Sequence, residues 1–365
     1  MPCVTSSRPI GFLYPGSPWR RQRILFATVL GVLATAALSS EDAWAEPQPA
    51  ADIIFTHAPD GGAPWLLADI YAMSADGANA HALTNDGHSH NPAWSPDGQR
   101  ILFVHDSVLQ TKPTHAERKE FESYHPVELY VMNRDGSNLH LLRRLEPVIF
   151  SAVWSPDGKT LAIACLPDAW VNNRPQPSGE PMRAGLFLLP ADAQGDPRLL
   201  FRNALTPAWS PDGKKLAFSV EQPRGTWAMH VAHADGSNDV PLTAPGLSSG
   251  SPAWSPDGRS IAFDQIADQR GRRQIFVVDA GGSRPRQITT NSNWSCEHAA
   301  WSPGGKRLVF SCRSASTPCG MVSSLGTALP NCDRRIFAVS LSDSKLELMQ
   351  LSGHDGASPA FAPVP

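Results

Sequence analysis

Apolar residues along this chain come in short runs broken by turn formers, as in Arg100-Ile101-Leu102-Phe103 and Ser260-Ile261-Ala262-Phe263. Runs this short, bounded by Gly, Pro and Asp, predict β-strands. The runs follow a recurring pentapeptide, Trp-Ser-Pro-Asp-Gly, at Trp94 to Gly98, Trp154 to Gly158, Trp209 to Gly213 and Trp254 to Gly258, with a fifth copy, Trp-Ser-Pro-Gly-Gly, at Trp301 to Gly305. Pro-Ala precedes the Trp in three copies, at Pro92-Ala93, Pro207-Ala208 and Pro252-Ala253. Each copy reads as a hairpin. Ser opens the turn, Pro presets φ near −65°, Asp bonds the local backbone, and Gly takes a conformation that other residues resist.

A second hairpin follows each first one. It is seen at Leu129 to Asn138 and in its relatives Ile70 to Asn79, His230 to Asn238 and Ile275 to Arg284, where Asp-Gly or Gly-Gly marks the turn. Between residues 151 and 202 this signal is reduced to Ala191-Asp192-Ala193-Gln194-Gly195. Two hairpins make a four-stranded antiparallel unit, and the Trp residues recur every 45 to 60 positions, the period of a β-propeller blade. Residues 52–84 carry three strands but lack an opening Pro-Ala-Trp strand. Ser358-Pro359-Ala360-Phe361-Ala362-Pro363 supplies one at the other end, with Phe for Trp. The expectation is an all-β, six-bladed propeller whose C-terminal strand closes the first blade, with approximate units 52–86, 90–145, 150–202, 205–245, 250–291 and 296–352 and the closing strand at 357–363.

Composition agrees with this architecture. The 34 Pro and 28 Gly disfavour long helices. A formal charge of −3 argues against a nucleic-acid partner. The first 45 residues read as a signal peptide: Arg20, Arg21 and Arg23 precede an uncharged run from Ile24 to Leu38, and Ala43-Trp44-Ala45 offers cleavage before Glu46. The run is too short to span a bilayer, so the mature chain, 46–365, is expected to carry no transmembrane segment and to be periplasmic or secreted. Whether export uses the general or the twin-arginine route is left open.

In an oxidising compartment, Cys296, Cys312, Cys319 and Cys332 suggest two disulfides. A hairpin centred near residue 304 puts Cys296 and Cys312 opposite each other, which leaves Cys319 and Cys332 to close the following loop. Cys165 occupies the position equivalent to Cys312, eleven residues after its Trp, with no cysteine opposite, so it is expected outside any intramolecular disulfide and partly buried. Zinc is the rival reading, but no Cys-x2-Cys pair supports it.

The repeat Pro-Ala-Trp-Ser-Pro-Asp-Gly, followed by Ile-Ala-Phe and by Asp-Gly-Ser-Asn, resembles the propeller repeat of the TolB family. The resemblance covers residues 50 to 365. It implies a six-bladed fold and periplasmic protein–protein interaction. TolB itself carries an α/β domain ahead of its propeller, and the few residues between the expected cleavage site and the first strand leave no room for one here.

Gly246-Leu247-Ser248-Ser249-Gly250 spells the nucleophile-elbow pattern, but it leads into a strand rather than a helix. The Asp-Gly-Ser-Asn turns lack the spacing of a calcium loop. The repeated tryptophans read as packing between blades. Long loops at 108–127, 166–185, 313–335 and 58–68 all fall on the disc face opposite the Trp-Ser-Pro-Asp-Gly turns, and there a protein or small-ligand partner is expected. Four places before each Trp-equivalent, His90, Phe150, Leu205, Gly250, Glu297 and Ala357 should ring the channel mouth on that face. With His88, His298, His354 and Asp355 close by, one sector is rich in His and carboxylate, and these six ionisable residues are the candidate binding site. Alternation along a strand points Glu297 and His298 to opposite faces. Solvated rim polarity is the competing reading. An enzyme of the lyase or hydrolase class using the same groups is the alternative function, with no cofactor expected beyond a divalent metal at most.

Overall fold

The computed structural model describes residues 52–58, 68–106, 127–145, 148–166, 185–282, 284–314, 334–341, 348–350 and 356–363. They form six antiparallel four-stranded sheets. Blade 1 holds β1 (Ile53–His57), β2 (Asp69–Met73) and β3 (His81–Ala82), and blade 2 holds β4 (Ser89–Trp94), β5 (Arg100–Asp106), β6 (Val127–Asn133) and β7 (His140–Leu145). Blade 3 is β8 (Val148–Trp154), β9 (Thr160–Leu166), β10 (Gly185–Pro190) and β11 (Arg198–Arg202); blade 4 is β12 (Ala204–Trp209), β13 (Lys215–Gln222), β14 (Thr226–His233) and β15 (Val240–Pro241). Blade 5 is β16 (Ser249–Trp254), β17 (Ser260–Ile266), β18 (Arg273–Asp279) and β19 (Arg286–Gln287). Blade 6 is β20 (Trp294–Trp301), β21 (Arg307–Ser314), β22 (Arg334–Ser340) and β23 (Leu348–Gln350), and β24 (Gly356–Phe361) returns to blade 1.

Closure of the ring is direct. β24 pairs with β1 through Ile53 opposite Phe361, Ile54 opposite Ala360 and His57 opposite Gly356. The first strands then touch in order, β4 with β8, β8 with β12, β12 with β16, β16 with β20, β20 with β24, and β24 with β4. These strands line the channel, and β24 gives blade 1 the inner strand that the other five blades carry in sequence.

The repeated pentapeptide folds as its chemistry dictates. Ser95 donates its hydroxyl to Asp97 at 2.5 Å and accepts the Arg100 amide at 2.9 Å, while Gly98 sits at φ 64°. Ser155, Ser210 and Ser255 repeat the Ser–Asp bond at 2.6 Å. In the fifth copy Gly304 replaces the Asp, yet Ser302 still accepts the Arg307 amide at 3.0 Å. The Ser hydroxyl beside each carboxylate holds Asp97, Asp157, Asp212 and Asp257 below the usual range.

Packing follows the same period. Nine residues after the Trp, the second strand buries Phe103, Phe218, Phe263 and Phe310; Ile163 takes this place in blade 3, and Phe55 is the counterpart in blade 1. The tryptophans join blades. Trp254 donates its indole N–H to the Ala208 carbonyl of the preceding blade at 3.2 Å, and Trp301 does the same to Ala253 at 3.0 Å. Cys296 and Cys312 are bonded across β20 and β21, directly opposite in register. Cys165 is buried, and Ile149 stands where a partner cysteine would be. Cys319 and Cys332 lie outside the described residues, as do residues 1–51. Among the described residues, no helix is long and apolar enough to cross a membrane.

Candidate functional site at the channel mouth

The six residues four places before the Trp-equivalents lie on the inner strands, but the pleat is interrupted just after them. The register between first and second strand shifts between His90 and Ala93, Leu205 and Ala208, Gly250 and Ala253, and Glu297 and Ala300. The residue three before the aromatic is left-handed: Asn91 at φ 52°, Thr206 at 51°, Ser251 at 48°, His298 at 56° and Ser358 at 49°. These are β-bulges, and an extra residue re-aims the side chains around it. Strict alternation therefore does not govern Glu297 and His298. The freed amides are captured by the preceding blade: Thr56 Oγ1 accepts the Asn91 N–H at 3.1 Å, and Asp264 Oδ2 accepts that of His298 at 3.4 Å.

His88 and His90 fall into a larger cluster on blade 2. Ser89, His105, Glu128 and Arg144 stand opposite one another across β4, β5, β6 and β7, a polar row that crosses the entire blade. Glu128 is 2% exposed, and its charge is met by Arg144, whose Nε and Nη2 both lie 2.6 Å from Oε1. His105 lies 3.5 Å from Asp86 and 3.9 Å from Glu128. The hydrogen bond to Asp86 raises the His105 pKa against the opposing pull of burial, helped by the charges of Asp86 and Glu128. Burial pushes Asp86 up, but the hydrogen bond from His105 and the His88 amide together bring it below its ordinary value. Asp86 also accepts the Ser89 hydroxyl at 3.1 Å. His90, 7% exposed, faces Asp106 at 3.6 Å, and its Nδ1 is buried with no hydrogen-bond partner among the described residues.

Glu297 and His298 belong to a second cluster, at the junction of blades 5 and 6. Asp264, 2% exposed, binds the Arg273 guanidinium as well as the His298 amide. Glu297 pairs with Arg313 at 3.6 Å, and the His298 Nδ1 is buried without a partner among the described residues. Gly250 lies between Asp264, Arg273 and Ser219, each 3.5 to 3.8 Å from where a Cβ would sit. No hydrogen bond or ion pair joins the two clusters among the described residues, and His354 and Asp355 fall outside them. Among the described residues there is also no group of three His, Cys, Asp or Glu arranged to hold a metal ion.

Sequence reasoning missed Asp86, His105, Asp106, Glu128, Asp264 and Arg273. One signal was available: His105 sits eleven residues after its Trp, the position that Cys165 and Cys312 fill in their own blades. Ser248, in the nucleophile-elbow pattern, is buried and leads straight into β16. On the opposite face, a cavity of about 350 Å³ opens at the closing seam between Asp52, Arg134, Arg307, Phe361 and Pro363.

The fold and this mouth define an all-β propeller with a polar rim. Residues 200–363 match the family model described as the TolB beta propeller domain. This stretch, which holds blades 4 to 6 and the closing strand, is similar to that propeller domain. The Uncharacterized peptidase YuxL of Bacillus subtilis (strain 168) is 25% identical over 236 residues, which cover 62% of this chain and 30% of that protein. The Tol-Pal system protein TolB of Anaeromyxobacter dehalogenans (strain 2CP-C) is 34% identical over 117 residues, 32% of this chain and 24% of that protein. Measured on these two relatives, the chain spans only 24 to 30% of their length. The crystal structure of TolB from Acinetobacter baumannii superposes with a TM-score of 0.63 at 15% identity, covering 86% of this chain and 67% of that one, a likeness of fold.

Proposed function

We propose that this chain is an exported propeller that binds a protein partner at the channel mouth on its loop-rich face, through the sector of His88, His90, Glu297 and His298. The observation that carries this reading is the His90 ring: nine-tenths buried, facing Asp106 at 3.6 Å on one side, with its other nitrogen lacking a partner among the described residues. Buried polar atoms are nearly always satisfied in finished structures, so an orphan at a concave mouth is suited to accept or donate to a bound group. The His298 ring has the same property one blade beyond the closing seam. A relative named as a Tol-Pal system protein favours a protein as the occupant. The presequence reading favours export to the periplasm or beyond.

The test is capture of partners from periplasmic extract by purified residues 46–365, run in parallel with a His90→Ala/Glu297→Ala double variant. A partner held by the wild type and lost by the double variant, at unchanged melting temperature, supports the site. A partner that binds the double variant equally but is lost on Arg307→Glu would place recognition on the Trp-Ser-Pro-Asp-Gly face instead.

A further inference from the structure

The outer strands of the blades differ in length, and the sequence explains why. In blades 1, 4 and 5 the outer strand is two residues long. Just beyond it, Thr84, Thr243 and Thr289 each turn a hydroxyl onto the amide of the third strand, accepting from Ile70, Met229 and Ile275 at 2.9 Å. The side chain thereby takes the donor that continued pairing would use. In blade 2, Arg143 stands at this position opposite Leu129, and in blade 3 Phe201 stands opposite Leu186. Neither can cap the amide in this way, and the strands run on: β7 has six residues and β11 has five.

The result is a long outer edge on two adjacent blades. Among the described residues no strand pairs with the far side of β7. Such an edge is a template for another strand unless it is kept short or covered. β7 is also fixed in place, because the Arg143 guanidinium donates to the Ala193 carbonyl at 2.6 Å and to that of Gly195 at 2.5 Å in blade 3. Leu139 just before it and Leu141 within it are 50% and 42% exposed, and the Arg144 side chain is 66% exposed. The sequences of β7 and β11, His-Leu-Leu-Arg-Arg-Leu and Arg-Leu-Leu-Phe-Arg, contain four Arg and no acid.

We propose that β7 is a docking edge, to which an extended acidic segment of a protein partner adds as a fifth strand of blade 2. Main-chain hydrogen bonds supply the affinity in this mode, and alternate side chains supply the selectivity. Acidic residues in the segment meet Arg144, and apolar ones cover Leu139 and Leu141. A second copy of this chain is a poor occupant, since two β7 edges would bring like charges face to face.

The probe is a fluorescein-labelled peptide, Glu-Val-Glu-Val-Glu-Val-Glu, followed by anisotropy, with hydrogen exchange on the same complex. The full mature chain should bind it, more weakly as salt rises, and the β7 amides should exchange more slowly in the complex. The peptide methylated at every backbone nitrogen should not bind. A Leu139→Glu/Leu141→Glu variant should bind about tenfold more weakly, or 1.4 kcal/mol, with an unchanged melting temperature. No binding by the wild type, equal binding of the methylated peptide, or an unaltered affinity in the variant would each overturn the proposal. So would a β7-dependent dimer in sedimentation.

Discussion

Trp94 and Ala360 are 266 residues apart in sequence, yet the Trp94 indole donates to the Ala360 carbonyl at 3.3 Å, tying blade 2 to the strand that closes blade 1. Trp254 and Trp301 make the equivalent bond, whereas the indole nitrogens of Trp154 and Trp209 are buried without a partner among the described residues. A Trp→Phe change removes similar packing at every site but removes a hydrogen bond at only some. Trp94→Phe should therefore cost about 1 kcal/mol more than Trp154→Phe in denaturant unfolding. Equal losses would show that the indole bonds carry no net stability.

Strand donation makes the ring one cooperative body. Deleting residues 356–365 strips β1 of its inner neighbour and exposes an edge at the channel. The truncated protein should melt well below the full chain and bind a hydrophobic dye. An unchanged melting temperature would contradict closure by this strand.

The disulfide in blade 6 spans 16 residues. A loop of that size predicts about 3 kcal/mol from restricting the unfolded chain. Cys296→Ala/Cys312→Ala should lower stability by about that amount, and a reductant should do the same to the wild type. In blade 3, Ile149→Cys puts a cysteine opposite Cys165 in the same register, and mass spectrometry after alkylation should find the new pair bonded. Failure to form it would mean that the two positions are not equivalent.

The pH response of the junction between blades 1 and 2 follows from His105 and Asp86. His105 has a raised pKa in the folded state, so its contribution is full below the ordinary His value near 6.5 and is lost as pH rises through the raised one. Asp86 has a lowered pKa, so its contribution is present above the ordinary carboxylate value near 4 and is lost as pH falls through the lowered one. Stability should peak between those limits. In His105→Gln the loss on the alkaline side should vanish, as read from melting temperature against pH; a profile identical to wild type would contradict the pairing.

Much of this was legible in the chain because a propeller repeats its chemistry. The five pentapeptides marked the inner hairpins, Ser358 to Pro363 marked the closing strand, and the turn centre placed Cys296 opposite Cys312. The bulges were not legible: Asn91, Thr206, Ser251 and Ser358 keep the spacing of the repeat, and only the register against the second strand reveals the extra residue. Nor was the row from Ser89 to Arg144, whose members lie on four strands and come together only through pairing. The candidate site was read as a single His and carboxylate sector, whereas His90 and Glu297 sit in separate clusters with different partners, Asp106 for one and Arg313 for the other.

The claim that the mouth is a recognition site is tested most directly at His90. A residue kept for binding rather than for the fold should be replaceable without loss of stability, since its Nδ1 is buried and has no partner among the described residues. The measurement is melting temperature together with partner capture for His90→Leu, which keeps an apolar side chain of similar bulk in place of the ring. This account predicts an unchanged or higher melting temperature with capture abolished. A melting temperature that falls by several degrees while capture persists would make His90 a structural residue and contradict it.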